Sequence, residues 1–177
     1  ISMRCGCAVP SLAEMPLAYF SLGSNIGNRA EHFLAVLDIL SAGDPYRLSQ
    51  VYETEPVGGV PQDDYWNLVM EVDTAASPRE LLERAREAEA QRERTRELRW
   101  GPRTLDVDVL LVGDLVSDDP EILVPHPRMW ERRFVLVPLA ELNPQLVSHE
   151  VMATASGAVL PLGTLTCLLY TSPSPRD

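Results

Sequence analysis

Residues 105–112 read LDVDVLLV, a run of β-branched and apolar residues that predicts the strongest strand of the chain. Side chains alternate between the two faces of a strand, so the apolar residues at odd positions face the core while Asp106 and Asp108 project together from the opposite face. Two carboxylates so close repel each other unless a cation neutralises them. Mg²⁺ prefers hard oxygen ligands, commonly one or two carboxylates plus substrate phosphates. This pair is therefore a candidate metal site.

The residues just before this strand indicate a phosphate-binding site. Arg99 and Arg103 carry planar guanidinium groups that pair with two phosphate oxygens at once, and Trp100 can stack on a base or on an arginine. The sequence contains no Gly-x-x-x-x-Gly-Lys-Ser/Thr pattern. A nucleotide would therefore be held by side chains and metal rather than by a P-loop.

Each of these features also has a less specific explanation. An isolated Asp-x-Asp is short and common, and it fits both the polar face of an exposed strand and the metal site of a sugar-nucleotide transferase. Some of the arginines are explained as helix-face partners of Glu93 and Glu97. That explanation fits Arg103 less well, because Gly101 and Pro102 take the chain off the helix before it.

The pattern along the rest of the chain predicts the order β-α-β-β-α-β. Such an order favours an α+β sandwich of the ferredoxin-like class, with helices packed on one face of a mostly antiparallel sheet. The predicted elements are strands at 17–22, 47–52, 65–72 and 105–112, helices at 28–42 and from a capping box at 77–80 to residue 88, and a helix-like segment at 134–142 interrupted by Pro138.

Composition limits the classes of partner. The 177 residues suit one domain, and no apolar run approaches the roughly 20 residues needed to span a bilayer. The formal net charge of -11 argues against broad binding of nucleic acid or acidic membranes, and hence against an RNA-binding module. Five arginines cluster within residues 92–103, so a small anionic ligand is still compatible. We expect a monomer that binds small molecules, and the absence of internal cysteines fits a reducing cytoplasm.

The two ends of the chain differ in character from the middle. Residues 1–14 show no clear period and predict an upstream translated or disordered segment, with Met15 as the natural start; a signal peptide fits poorly because no sustained apolar stretch follows Arg4. Residues 167–177 resemble the translation of a common sequencing adapter, and a disordered Ser/Pro tail is the alternative. Both explanations predict a mobile tail and place the single domain at residues 15–166.

Residues 99–108, RWGPRTLDVD, resemble the signature of the 6-hydroxymethyl-7,8-dihydropterin pyrophosphokinase family. The resemblance covers about residues 17–146. It implies a Mg²⁺-dependent transfer of pyrophosphate from ATP to the hydroxymethyl group of the reduced pterin, in folate biosynthesis, with AMP leaving and no covalent enzyme intermediate. Further motifs match in order: SLGSN at 21–25, YETEP at 52–56, YWN at 65–67, VPHPRM at 124–129 and RRFVLVPL at 132–139.

The same resemblance implies roles in binding ATP and metal. Asp106 and Asp108 would bind two Mg²⁺ ions, and Trp100 would sit on a mobile loop that closes over the site and excludes water. The family's Gly-Arg-x-Arg step reads QRER at residues 91–94 here, so Arg92 and Arg96 compete with Arg94 for the role of the closing arginine. The residues implied in contact with phosphate are Arg94, Arg103, His126 and Arg132, although a lone His between two prolines is also explained as structural.

Roles in binding the pterin follow from the resemblance as well. Tyr65 and Phe134 would sandwich the flat ring, while Asn67, Thr54 and the backbone around Val57 would read its amide edge. Packing in the core is the alternative for the two aromatic residues. It explains Asn67 less well, since Asn is depleted in strands.

Overall fold

The computed structural model describes residues 15–56, 62–92 and 104–171. In this part of the chain six strands form one sheet in which every pairing is antiparallel. The strand order is β5-β1-β4-β3-β6, with β2 also pairing with β4. The predicted α+β class and antiparallel sheet are therefore confirmed. The strands are β1 (Leu17–Ser24), β2 (Tyr46–Leu48), β3 (Val51–Thr54), β4 (Tyr65–Asp73), β5 (Asp106–Val112) and β6 (Leu160–Gly163).

Helices cover both faces of the sheet. On the first face lie α1 (Arg29–Leu34), α2 (Leu37–Ser41) and α3 (Pro78–Gln91), and α4 (Arg133–Leu142) packs on the second. The prediction that helices cover only one face is therefore wrong. Within the described residues, no helix combines the length and the apolar character needed to cross a bilayer.

Strand alternation explains why both faces need a cover. Phe20 and Leu22 of β1 enter the core cluster on the first face, whereas Tyr19 enters the cluster on the second. Val135 and Leu139 of α4 complete that second cluster, and Pro138 is accommodated inside the helix instead of interrupting it. A sheet that is apolar on both faces is stable only when both are packed.

The second predicted strand, 47–52, is split into β2 and β3. Ser49 lies between them and is 2% exposed. Its backbone N–H donates to the Val69 carbonyl at 3.0 Å, and its hydroxyl accepts from the Val69 N–H at 2.9 Å. The Ser49 hydroxyl therefore replaces the backbone carbonyl that would otherwise accept from the Val69 N–H in the β-ladder. The predicted helix at 28–42 is similarly divided into α1 and α2.

The C-terminal segment adds two short helices and a strand. Helix α5 (His149–Thr154) and strand β6 are followed by α6 (Leu165–Thr171). Leu165 is buried, and Leu168 and Leu169 pack against the core of the first face. Residues at i, i+3 and i+4 share one face of a helix, so this apolar stripe holds the segment. Residues 167–171 thus lie in a helix, and the mobility expected of the tail stays a prediction.

His32 joins α1 to the end of α3. Its Nδ1 accepts a hydrogen bond from Arg92 Nε at 3.0 Å, and burial and the Arg92 charge together lower the pKa of His32. The unfolded chain therefore binds a proton more readily, so the free energy of unfolding should fall as the pH drops below about 6.5. We expect His32→Gln to reduce the difference in Tm between about pH 7.5 and about pH 5.5.

Thermal unfolding followed by circular dichroism at both pH values measures this effect. His149→Gln on the exposed surface of α5 is the matched control. An unchanged pH dependence in His32→Gln would contradict this role of His32.

Candidate active site

A pocket of about 420 Å³ opens on the second face of the sheet, where the last residues of β1 and β3 lie beside the first residues of β4 and β5. The N-terminal end of α4 forms its opposite wall. Seven of the residues that the sequence analysis selected are brought together in this pocket: Thr54, Tyr65, Asn67, Asp106, Asp108, Arg132 and Phe134.

The two carboxylates lie on β5 and face the pocket. Asp106 pairs with Gly23 and Asp108 with Ser21 across the sheet, so both stand on the second face, as strand alternation predicts. The Oδ2 atom of Asp108 lies 3.7 Å from Arg132 Nη1, which partly compensates its charge. Its side chain remains 37% exposed, so solvent or a ligand can still reach the carboxylate.

Two hydrogen bonds to the backbone fix the position of His126 next to Asp108. Its backbone N–H donates to the Leu110 carbonyl at 2.8 Å, and its Nδ1 accepts from the Arg128 N–H at 3.2 Å. Because Nδ1 is an acceptor, the neutral ring carries its proton on Nε2, which lies 3.8 Å from Asp108 Oδ2. Burial lowers the pKa of His126, and the charge of Asp108 opposes that effect. The ring is thus placed as a hydrogen-bond donor at the edge of the pocket.

Two arginines concentrate positive charge here. Arg132 occupies the N-cap position of α4 without a side-chain capping bond, and its guanidinium lies 5.6 Å from the centre of the Phe134 ring. Burial and the nearby charge of Arg128 lower the pKa of Arg132. Arg128 also lines the pocket, and its charge acts on His126 as well. Arg128 belongs to the VPHPRM motif at 124–129, but no role was predicted for it from the sequence.

The other half of the pocket is aromatic and amide in character. Asn67 is 4% exposed and donates from Nδ2 to Thr54 Oγ1 at 2.9 Å. With Nδ2 used in this way, the oxygen Oδ1 is directed over Gly23, where an added Cβ would lie only 3.2 Å from it. Tyr65 and Phe134 line the pocket and are half-buried, and Phe134 also packs against the core of the second face.

Some pocket residues were not selected from the sequence. Gly23 lies between Asp106 and Asn67 in the register, and it belongs to a motif that the sequence analysis quoted without a role. Glu131 and the segment 156–158 also line the pocket. The segment is distant in sequence and carries no motif, and it reaches the site because Ser156 exchanges backbone hydrogen bonds with Glu131 and with the residue that follows Arg132.

Five selected residues lie outside the described residues: Val57, Arg94, Arg99, Trp100 and Arg103. Of the competing arginines, Arg92 is described, and it bonds to His32 on the first face of the sheet. Within the described part of the chain, no group of three or more His, Cys, Asp or Glu side chains is placed to hold a metal ion. The Asp106 and Asp108 pair nevertheless fits Mg²⁺, which commonly takes one or two carboxylates and completes its shell with water and substrate oxygens.

Comparison with known proteins places these features in one family. Residues 19–144 match the family model described as 7,8-dihydro-6-hydroxymethylpterin-pyrophosphokinase (HPPK). The chain is 44% identical over 140 residues to the 2-amino-4-hydroxy-6-hydroxymethyldihydropteridine pyrophosphokinase of Bacillus subtilis (strain 168), covering 77% of this chain and 84% of that protein. The enzyme of the same name from Pseudomonas aeruginosa is 42% identical over 131 residues, covering 72% and 81% respectively.

Longer proteins match over part of their length. The bifunctional protein FolKE of Lactococcus lactis subsp. cremoris (strain MG1363) is 39% identical over 131 residues, which cover 72% of this chain and 38% of that protein. A crystal structure of Plasmodium falciparum HPPK-DHPS A437G with SDX-DHP superposes with a TM-score of 0.55 and 15% identity. It covers 88% of this chain and 45% of that one, and at this identity it shows a shared fold alone. The chain thus spans less than half of these two longer proteins.

Proposed function

Because the chain belongs to the 7,8-dihydro-6-hydroxymethylpterin-pyrophosphokinase family, we propose that it transfers pyrophosphate from ATP to the hydroxymethyl group of 6-hydroxymethyl-7,8-dihydropterin. It is a pyrophosphokinase, and therefore a transferase. One observation carries the choice of substrates: a single pocket joins a carboxylate and arginine half to an aromatic and amide half. The first half suits a polyphosphate, and the second suits a flat heterocycle with polar edges.

In the pterin half, this chain's side chains would orient the ring. Tyr65 and Phe134 offer aromatic faces for stacking, which positions a flat ligand without fixing its rotation. Asn67 would then fix the rotation, because its Oδ1 is an acceptor for the N–H groups on the pterin edge while Thr54 holds its Nδ2. The backbone around Val57 would complete this recognition.

In the phosphate half, cationic groups would bind and align ATP. Arg132 and Arg128 supply charge at the N-terminal end of α4, and His126 supplies an Nε2–H donor. Arg94 and Arg103 would add further charge, and Trp100 would close over the site. Such alignment is the main contribution a protein makes to phosphoryl transfer.

Asp106 and Asp108 would hold two Mg²⁺ ions. When bound, these ions would neutralise charge on the attacking and leaving oxygens of an in-line displacement. The pterin hydroxyl oxygen forms a bond to the β-phosphorus and gives up its proton to solvent, and the bond from that phosphorus to the bridging oxygen of the α-phosphate breaks. AMP leaves with the bonding electrons, and the pterin diphosphate is the product.

The central strands and helices also support a finer assignment of the fold. The order β5-β1-β4-β3, with α1 and α2 between β1 and β3 and with α3 between β4 and β5, fits the ferredoxin-like βαββαβ arrangement. Strand β6 and helix α4 are additions to that core.

Release of AMP from ATP and Mg²⁺, with and without 6-hydroxymethyl-7,8-dihydropterin, tests the proposed reaction. We expect AMP that depends on the pterin. Release of pyrophosphate instead would indicate nucleotidyl transfer, and release of neither from protein that binds both ligands would refute catalysis.

Gly23→Ala tests the amide half of the pocket. The added methyl group would lie 3.2 Å from Asn67 Oδ1 and 4.0 Å from Tyr65 Cδ1, so the amide must shift. We expect the Kd for the pterin to rise about tenfold, close to 1.4 kcal/mol, while the Kd for ATP stays within about twofold. Isothermal titration calorimetry measures both, and ATP serves as the internal control. An unchanged pterin Kd would mean that Asn67 does not read the ring.

A further inference from the structure

The turn that follows β1 holds the chain that leads into β4. Asn25 is 2% exposed, and its Nδ2 donates to the Gln62 side chain and to the Asp63 carbonyl, each at 3.0 Å. Arg29, at the start of α1, donates from Nη1 to the Asp64 carbonyl at 2.6 Å. Asn25 in the turn and Arg29 at the start of α1 therefore hold three consecutive residues, 62–64.

Arg29 makes a second contact just beyond that point. Its guanidinium lies 4.3 Å from the centre of the Trp66 ring, a distance typical of a cation–π stack. The Trp66 indole also donates from Nε1 to Glu53 Oε2 at 3.1 Å, which ties it to β3. The side chain of Trp66 is thus held by a neighbouring strand and by a helix.

Trp66 lies between the two pocket residues of β4. Because side chains alternate along a strand, Tyr65 and Asn67 face the pocket while Trp66 packs toward the core of the opposite face. Contacts that hold Trp66 on the face opposite the pocket therefore also hold the backbone that carries Tyr65 and Asn67. This matters because β4 begins at Tyr65, and the first residues of a strand are its least constrained ones.

We propose that Arg29 and Trp66 form a positioning pair for the pterin ring. The stack and the Arg29 bond to Asp64 hold the start of β4, so that Tyr65 and Asn67 keep their places in the pocket. Neither side chain lines the pocket. The inference rests on the proposed function, and it predicts an effect on binding of the pterin without an effect on binding of ATP.

Arg29→Met tests the pair, and Arg84→Met is its matched control. Arg84 is also half-buried. Its Nη1 donates to the Leu40 and Ser41 carbonyls at 3.2 and 3.3 Å, at the C-terminal end of α2. We expect Arg29→Met to raise the pterin Kd and KM about tenfold with kcat and ATP affinity nearly unchanged. Arg84→Met should lower Tm and leave both pterin constants at their wild-type values.

Two further variants separate positioning from general weakening of the fold. Arg29→Lys keeps a cationic donor for Asp64 but loses the planar group that stacks on Trp66, so it should recover only part of the pterin affinity. Trp66→Leu keeps apolar packing but loses the ring face, and its effect should combine with that of Arg29→Met less than additively. Calorimetric titration with the pterin and steady-state kinetics measure all of these constants.

The outcomes distinguish the pair from the proposed function. An unchanged pterin Kd in folded Arg29→Met, or an equal rise in Arg84→Met, would overturn the positioning role while wild-type turnover stands. Absence of pterin binding by the wild-type protein would overturn the proposed function, and with it the ligand named for this pair. Amide hydrogen exchange at residues 65–67 should be faster in Arg29→Met than in Arg84→Met, and equal rates would also overturn the positioning role.

Discussion

Asp106→Asn and Asp108→Asn are each expected to lower kcat by about a thousandfold or more. Each substitution keeps the shape of the side chain but removes a charged oxygen ligand, and the loss corresponds to about 4 kcal/mol of transition-state stabilisation. The pterin Kd should change little, because the aromatic and amide half of the pocket is untouched. Production of AMP under single-turnover conditions measures the chemical step directly.

The fold should tolerate both substitutions. The contacts of Asp108 with His126 and Arg132 are 3.8 and 3.7 Å long at a partly exposed carboxylate, and pairs of this kind contribute about 0–1 kcal/mol. Asp114→Asn, in the exposed turn after β5, is the matched control and should be fully active. Wild-type turnover in either pocket variant would remove the metal role from that residue.

Phe20→Ala is expected to lower the free energy of unfolding by about 3–5 kcal/mol. Phe20 is fully buried on the central strand β1, where it pairs with Met70 of β4 and Val109 of β5. Truncation leaves a cavity that neighbouring strands cannot fill, because their backbones are fixed by the ladder on both sides. Such a loss is a large part of the stability of an ordinary domain.

Chemical denaturation monitored by fluorescence or circular dichroism measures this change. Phe20→Leu keeps most of the volume and should cost less than about 1.5 kcal/mol. Val116→Ala, at a side chain that is 83% exposed, should stay within about 0.5 kcal/mol of wild type. A loss below about 1 kcal/mol for Phe20→Ala would mean that the core of the first face is not tightly packed.

An acidic protein can bind a polyanion because charge is arranged locally. The chain carries a net charge of -11, yet Arg128 and Arg132 line the pocket, and His126 Nε2 lies 3.8 Å from the pocket residue Asp108. A phosphate placed there would meet a field set by these groups and by the N-terminal end of α4, not by the charge of the whole chain. The net charge therefore argues against broad binding of nucleic acid, but it is compatible with a small anionic ligand such as ATP.

Features that depend on near neighbours along the chain were predicted from the sequence. The same-face placement of Asp106 and Asp108 follows from the period of a strand. The capping box of Ser77 and Glu80 forms as predicted, because its bonds join residues three apart. The family resemblance added Thr54, Tyr65, Asn67, Arg132 and Phe134, which lie on three motifs that have no local reason to meet.

Other features were decided only by the tertiary structure. Ser49 divides a strand because its hydroxyl reaches Val69 on a neighbouring strand, and α4 covers the second face because that face would otherwise expose apolar residues. The contact of Arg29 with Trp66, and the placement of Gly23 beneath Asn67, depend on strand register and on the entry of a helix. Register and packing arise from contacts among segments far apart in the chain, so local periodicity predicts the elements but not which side chains face one another across the sheet.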